Sequence, residues 1–310
     1  MLLKDGEKLP SLDGLRGISI ILVMLVHIRV TAGFPTFLEA PLREAGFGVE
    51  IFFVISGFLI SYLLMAEEYR TRKNDILRFY LKRVLRVVPA FLVYLAFILL
   101  QPFEKVDIDI KSLIHIFTFT INFDPNATWV VRHFWTLGIE EQFYILWPLL
   151  FLLFKNHRKT ILILTILYSC VVRVLNYKYG ISEFTLYPFF YISDSIMIGV
   201  LGGIYIFENP NVLDSSLFKS IRYQLAAIVI ILVLLTLFHF KIAGYITIPF
   251  KITITSICIL YLILSNIRRS DNFIYQILNN RILSYIGLMS YSLYLWQQFF
   301  LNGRTMCYRR

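Results

Sequence analysis

The sequence has little charge. Asp, Glu, Lys and Arg make up 16% of its 310 residues, and 58% of the residues are hydrophobic; soluble domains carry roughly 25% charge. A surface of that kind cannot be solvated all round, so a soluble globular domain is excluded. Cysteine is scarce. Cys170, Cys258 and Cys307 stand far apart, which excludes a disulfide framework and a zinc ribbon, and no metal site is indicated. There is no internal repeat and no low-complexity tract, so an inverted-repeat transporter is not favoured. A cleavable signal peptide is not expected, because Asp5, Glu7 and Asp13 precede the first apolar run and Arg29 interrupts its end.

What is present is a succession of apolar runs of about 15 to 22 residues, each long enough or nearly long enough to cross a bilayer. They predict an all-α polytopic membrane protein with no room for a large soluble domain. The net charge of +10 is then read as lysines and arginines in cytoplasmic loops, with membrane lipid rather than nucleic acid as their neighbour.

The first run is organised around two basic residues, Arg16 and His27, which bracket the apolar stretch from Ile18 to Val26. They are eleven residues apart, about three helical turns and ~16 Å, so both side chains share nearly one face. An ionisable group at that depth is costly and is usually kept for ligand or proton work. Glu50 opens the second run, with Ser56 and Gly57 in its middle as small residues that let helices approach. Glu140 and Glu141 lie inside an otherwise lipid-compatible helix beside Trp135, Gln142 and Tyr144. Unpaired, each carboxylate there would cost several kcal/mol. Asp194 is a further carboxylate within a run.

The densest basic cluster is Arg70, Arg72, Lys73, Arg78, Lys82, Arg83 and Arg86. Lys82, Arg83 and Arg86 share a face on what reads as a helix at the inner surface, leading into a span at Pro89. Its plain reading is a positive-inside anchor; its sharper one is an anion site for a phosphate-rich cosubstrate. Loop charges then choose a topology. If segments 89–103 and 111–123 both crossed, Lys155, Arg158, Lys159, Arg268, Arg269 and Arg281 would fall outside. If only one crosses, all fall inside. The reading is a bundle of about nine to ten spans with one short or re-entrant segment, the N-terminus cytoplasmic. His27, Glu50, Glu140 and Glu141 are then expected in the outer half, and Arg16, Arg83 and Arg86 at the inner side. A histidine and carboxylates in one desolvated pocket make a general-base pair able to take a proton from a hydroxyl.

The stretches LDGLRGISIILVMLVH (12–27), GVEIFFVISGFLI (48–60), RFYLKRVLRVVPAF (78–91), FWTLGIEEQFYILWP (134–148) and SYSLYLW (290–296) together resemble the acyltransferase-3 family of integral-membrane acyltransferases. The resemblance implies O-acyl transfer, usually of acetyl, from cytoplasmic acyl-CoA to a glycan or glycolipid across the bacterial cytoplasmic membrane. Its Arg-x10-His pair falls on Arg16 and His27, and its Arg-x-x-Arg motif on Arg83 and Arg86, with Lys82 beside them as a phosphate ligand. Its tryptophan and Glu-Glu-Gln-Phe-Tyr motif falls on Trp135, Glu140, Glu141, Gln142 and Tyr144. Glu50 stands where the family carries an acidic residue. His27, Glu50, Glu140 and Glu141 are the expected catalytic groups; Trp135, Gln142, Tyr144 and Asp194 are expected at the acceptor. Two departures stand out. The last motif often continues Trp-His, but Trp296 is followed here by Gln297. The chain then ends at Arg310 without the further helix the resemblance implies, and no Gly-Asp-Ser-type motif of a fused hydrolase domain follows. The chain is therefore expected to be a single membrane-embedded acyltransferase domain, residues 1–310, lacking its last helix. The rival readings are a transporter or lipid-glycan flippase with an intramembrane proton relay, and an inactive partner in a glycan-assembly complex.

Overall fold

The computed structural model describes residues 9–29, 34–72, 74–101, 108–180 and 187–301. The expectations for Lys73 and for the end of the chain at Arg310 lie outside the described residues. Those residues form a helical bundle: α1 (Leu12–Ile28), α2 (Gly48–Thr71), α3 (Ile76–Leu100), α4 (Ile110–Phe117), α5 (Phe134–Leu153), α6 (Arg158–Tyr179), α7 (Ser193–Glu208), α8 (Ile221–His239), α9 (Gly244–Asn266), α10 (Arg281–Leu288) and α11 (Ser290–Phe300), with shorter turns between them. Six helical stretches, those containing α2, α3, α5, α6, α8 and α9, are long and apolar enough to cross a membrane. Packed alongside them, α1 and α7 have 17 and 16 residues, ~25 Å of helix each. The last rod is broken at Met289 into α10 and α11 rather than running as one span.

The bundle is closed by close backbone approach. α7 packs most extensively on α2. A Cβ at Gly57 would sit 1.9 Å from the Ile196 carbonyl oxygen, and one at Gly199 would sit 2.1 Å from that of Val54. Only glycine permits these helices to cross backbone on backbone, the packing mode available where lipid offers no hydrophobic drive.

One end of the bundle is laced with ion pairs. Glu68, at the end of α2, holds Lys155 at 2.7 Å and Arg158 at 2.9 Å, both at the α5–α6 connection. Lys159 pairs with Glu208 at the end of α7. Asp214 takes Arg268 at 2.7 Å and Lys219 at 3.7 Å, and the Arg268 hydrogen bond holds its carboxyl below the usual carboxylate range. The end of α2 and the start of α6 thus share one side, which requires an even number of crossings between them. α3 and α5 supply two. α4, with eight residues, is the short segment, and the turn after it lies against α5, where Gln142 Nε2 donates to the Phe119 carbonyl (2.8 Å) and to Asn122 Oδ1 (2.9 Å).

α3 corrects one expectation. Arg70 and Arg72 end α2, and from Arg78 onward the basic cluster is not a surface helix leading to a separate span at Pro89 but the first turns of a single 25-residue helix with Pro89 inside it. Asp75 caps its start by accepting from the Arg78 backbone N–H at 2.9 Å, and Pro89 removes only one intrahelical donor. Lys82, Arg83 and Arg86 are thereby carried into the bundle.

Candidate active site

A cavity of about 370 Å³ lies between α1, α2, α3, α5 and α11. One end is cationic, with Arg16, Lys82, Arg83 and Arg86. Its long wall is apolar, built by Phe52, Phe53, Leu59 and Ile60 of α2 and Phe79 of α3.

Arg83 is locked in place. Its Nε donates to Glu141 Oε1 at 3.2 Å, its Nη2 lies 3.1 Å from the same oxygen and 3.9 Å from Glu140 Oε2, and its guanidinium lies 3.1 Å above the Tyr144 ring centroid. Glu140 and Tyr144, four residues apart on α5, present one face to it, and the planar fork spans both carboxylates. Ser56 Oγ donates to Glu140 Oε1 at 2.8 Å, so Ser56 is a site residue and not only a packing one. Arg16 Nη1 lies 3.3 Å from Asp13 one turn earlier. Arg86 and Lys82 have no ion pair or hydrogen bond among the described residues, and both are exposed at the cavity. With Asp13 counted, three carboxylates face four cations, and the one surplus positive charge is what an anion entering this end would meet.

The expected separation of inner arginines from outer carboxylates does not hold. Arg83 sits two turns inside α3, Glu141 lies more than a turn into α5 from the other end, and the two meet.

His27 lies one turn beyond Val23, the last α1 residue on the cavity wall. Its Nδ1 is 2.8 Å from the Val23 carbonyl oxygen. A carbonyl only accepts, so Nδ1 carries the hydrogen and Nε2 presents a lone pair. The Trp129 ring meets the imidazole edge-on at 5.8 Å, and Gln297 lies beside it. The group that fixes this histidine is a backbone carbonyl and not one of the expected carboxylates. Glu50 is 3% exposed, lies 3.3 Å from Lys251, and accepts from Thr255.

Three further expected site residues lie elsewhere. Asp194 and Arg173 are fully buried and joined at 2.7 and 3.0 Å, with Thr253 donating to Asp194. Gln142 holds the turn after the short segment, as described. Trp135 packs against two of the apolar clusters. Sequence reasoning missed His133, which is 3% exposed. Its Nε2 lies 3.2 Å from the Leu295 carbonyl and its Nδ1 3.0 Å from the Gln298 amide. The signal was there, since His133 precedes Glu140 by seven residues, two turns along α5. Thr136 and Tyr294 join it to the cavity, hydrogen-bonded to each other at 2.8 Å, with the Tyr294 hydroxyl donating to the His133 carbonyl.

The O-acetyltransferase OatA of Staphylococcus aureus is 32% identical over 93% of this chain. A putative O-acetyltransferase of S. aureus strain COL is 29% identical over 94%. The chain spans about half the length of these curated relatives, 50% in each case. No solved structure matches it. The family model of the acyltransferase domain matches residues 9–309, nearly everything described above, and on that match the chain belongs to the acyltransferase-3 family of acyltransferases.

Proposed function

We propose that the chain moves an acetyl group from cytoplasmic acetyl-CoA to a hydroxyl of a glycan or glycolipid on the far side of the bacterial cytoplasmic membrane. The observation that carries this reading is the cavity itself. It is cationic at one end, has an apolar long wall, and follows α1 from Arg16 to Val23, one turn short of His27. Arg86, Lys82 and Arg16 hold the CoA phosphates at the cationic end. The pantetheine arm lies along the α2 wall, and the ~16 Å of α1 between Arg16 and His27 is of the order of that arm's length. His27, with Nδ1 committed to Val23, offers Nε2 either as base to the acceptor hydroxyl or as the first acyl carrier. Arg83 orients Glu140 and Glu141 and balances their charge. Glu50 and Asp194, each already paired with a cation, are read as bundle-locking groups. The ion-paired end of the bundle is the cytoplasmic one, and the N-terminus lies with it.

The test compares base-releasable O-acetyl on surface glycans of cells with the protein, without it, and with His27→Ala inserted at wild-type level. Acetylation should require the protein and be lost in His27→Ala. Undiminished acetylation by well-inserted His27→Ala protein refutes the role of His27.

A further inference from the structure

The helix faces that wall the cavity continue beyond it. On α1, Arg16 and Val23 line the cavity and His27 is the next residue on that face. On α11, Ser290, Tyr291 and Tyr294 line it, and Gln297 and Gln298 follow at i+3 and i+4 from Tyr294. Gln298 is engaged: its carbonyl accepts from Trp129 Nε1 at 3.1 Å and its amide meets His133. Gln297 is not. It is 3% exposed, it lies within hydrogen-bonding reach of the His27 ring, and neither its amide nitrogen nor its amide oxygen makes a hydrogen bond of good geometry among the described residues.

A buried primary amide unpaired at both ends destabilises a fold, and such groups are few in native proteins. Orienting His27 does not explain it, because the Val23 carbonyl already fixes the tautomer. Packing does not explain it either, since a methionine would fill the same volume without stranding polar atoms. What remains is a partner supplied by the substrate.

We propose that Gln297 is a catalytic hydrogen-bond donor, its amide N–H groups receiving the oxyanion of the acyl group at His27. The inference rests on the acyl-transfer reading of His27. As the acceptor oxygen bonds to the thioester carbon, its proton passes to His27 Nε2. The carbonyl electron pair moves onto the acyl oxygen, which takes the hydrogen bond from Gln297 Nε2. Collapse restores the carbonyl, breaks the C–S bond, and the thiolate leaves with the proton held by the imidazolium. The donor is most valuable when the oxygen carries full charge in a dry site, which gives a reason for keeping a costly amide there.

The experiment uses membranes of cells carrying the full chain, radiolabelled acetyl-CoA as donor probe, and surface glycan from the same cells as acceptor. Wild type, His27→Ala, Gln297→Met and Gln297→Glu are compared for rate, for apparent KM for acetyl-CoA, and for melting in detergent. Loss of one oxyanion donor lowers kcat by about 10²–10³-fold. Gln297→Met should show that loss with KM within about twofold and with melting unchanged or raised. Gln297→Glu, which places a negative group against the oxyanion, should be at least as slow. Wild-type kcat in Gln297→Met overturns the proposal, and so does an unfolded Gln297→Met, which would mean the amide holds the fold. If His27→Ala is active, the acyl-transfer reading fails; if His27→Ala is dead while both Gln297 variants turn over normally, only the inference about Gln297 fails.

Discussion

Arg83 Nη2 lies 3.1 Å from Glu141 Oε1, so a residue placed by its family motif among the phosphate ligands is already satisfied by protein. Arg86, three residues on, is not tied to any group among the described residues. The two arginines of one motif therefore have different surroundings. Arg83 bonds the carboxylates of α5, and Arg86 is left without a protein partner among the described residues, which under the proposed function makes it the cation that meets the donor's phosphates.

Substitution should separate them. Arg86→Gln should raise the KM for acetyl-CoA roughly tenfold or more, the worth of a hydrogen bond to a charged group, with kcat little changed and a shallower salt dependence. Arg83→Gln should instead lower stability by up to about 3 kcal/mol, the low end for breaking a pair that keeps some solvent contact. Glu141→Gln added to Arg83→Gln should restore part of it. Melting in detergent and donor kinetics on the three variants decide the matter. Equal losses of donor affinity with no change in melting would return Arg83 to the phosphate site.

The Arg173–Asp194 pair gives a second division, between residues that act and residues that hold. Both are wholly buried, and Thr253 closes the network. Asp194→Ala strands a guanidinium in the bundle and should cost about 3–5 kcal/mol, seen as loss of assembled protein. Replacing Asp194 and Arg173 together by leucine and methionine should recover most of that loss. Protein that does assemble should keep wild-type KM for the donor. A selective fall in acceptor use, with melting intact, would restore Asp194 to the acceptor site.

Much of the bundle was legible because lipid imposes simple rules. Apolar length marked the spans, and loop charge identified one of segments 89–103 and 111–123 as short. Gly57 read correctly as a point of close helix approach. The pairing of intramembrane charges was not legible, because a carboxylate's depth does not reveal its partner. Glu50, Glu140, Glu141 and Asp194 look alike in sequence, yet Lys251, Arg83 and Arg173 divide them into separate sites. Those partners come from helices up to some two hundred residues away, as with Glu50 and Lys251. Pro89 misled for a local reason: in water it would end the basic helix, whereas in a span neighbouring groups tolerate it. Gln297 showed only as a departure from the family's motif, and its unpaired amide became visible once α11 was packed beside α1.

The last prediction concerns sidedness, on which transfer across the membrane depends. Glu68 bonds both Lys155 and Arg158, so the α5–α6 connection shares a side with the basic start of α3. Arg268 and Asp214 join the same end through Lys159 and Glu208. By the bias of lysine and arginine toward the cytoplasm, that end faces in. Residue 126, at the opposite end of the stretch that contains α5, then faces out. Single cysteines at Asn126, Asn156 and Ser270, in a background lacking the three native cysteines, can be challenged with an impermeant thiol reagent on intact cells. Position 126 should label, while 156 and 270 should label only after the cells are opened. Labelling of 156 and 270 on intact cells, with 126 protected, would invert the bundle. The cationic end of the cavity would then face outward, where no CoA is available, and the donor assignment of Arg16, Lys82 and Arg86 would fall with it.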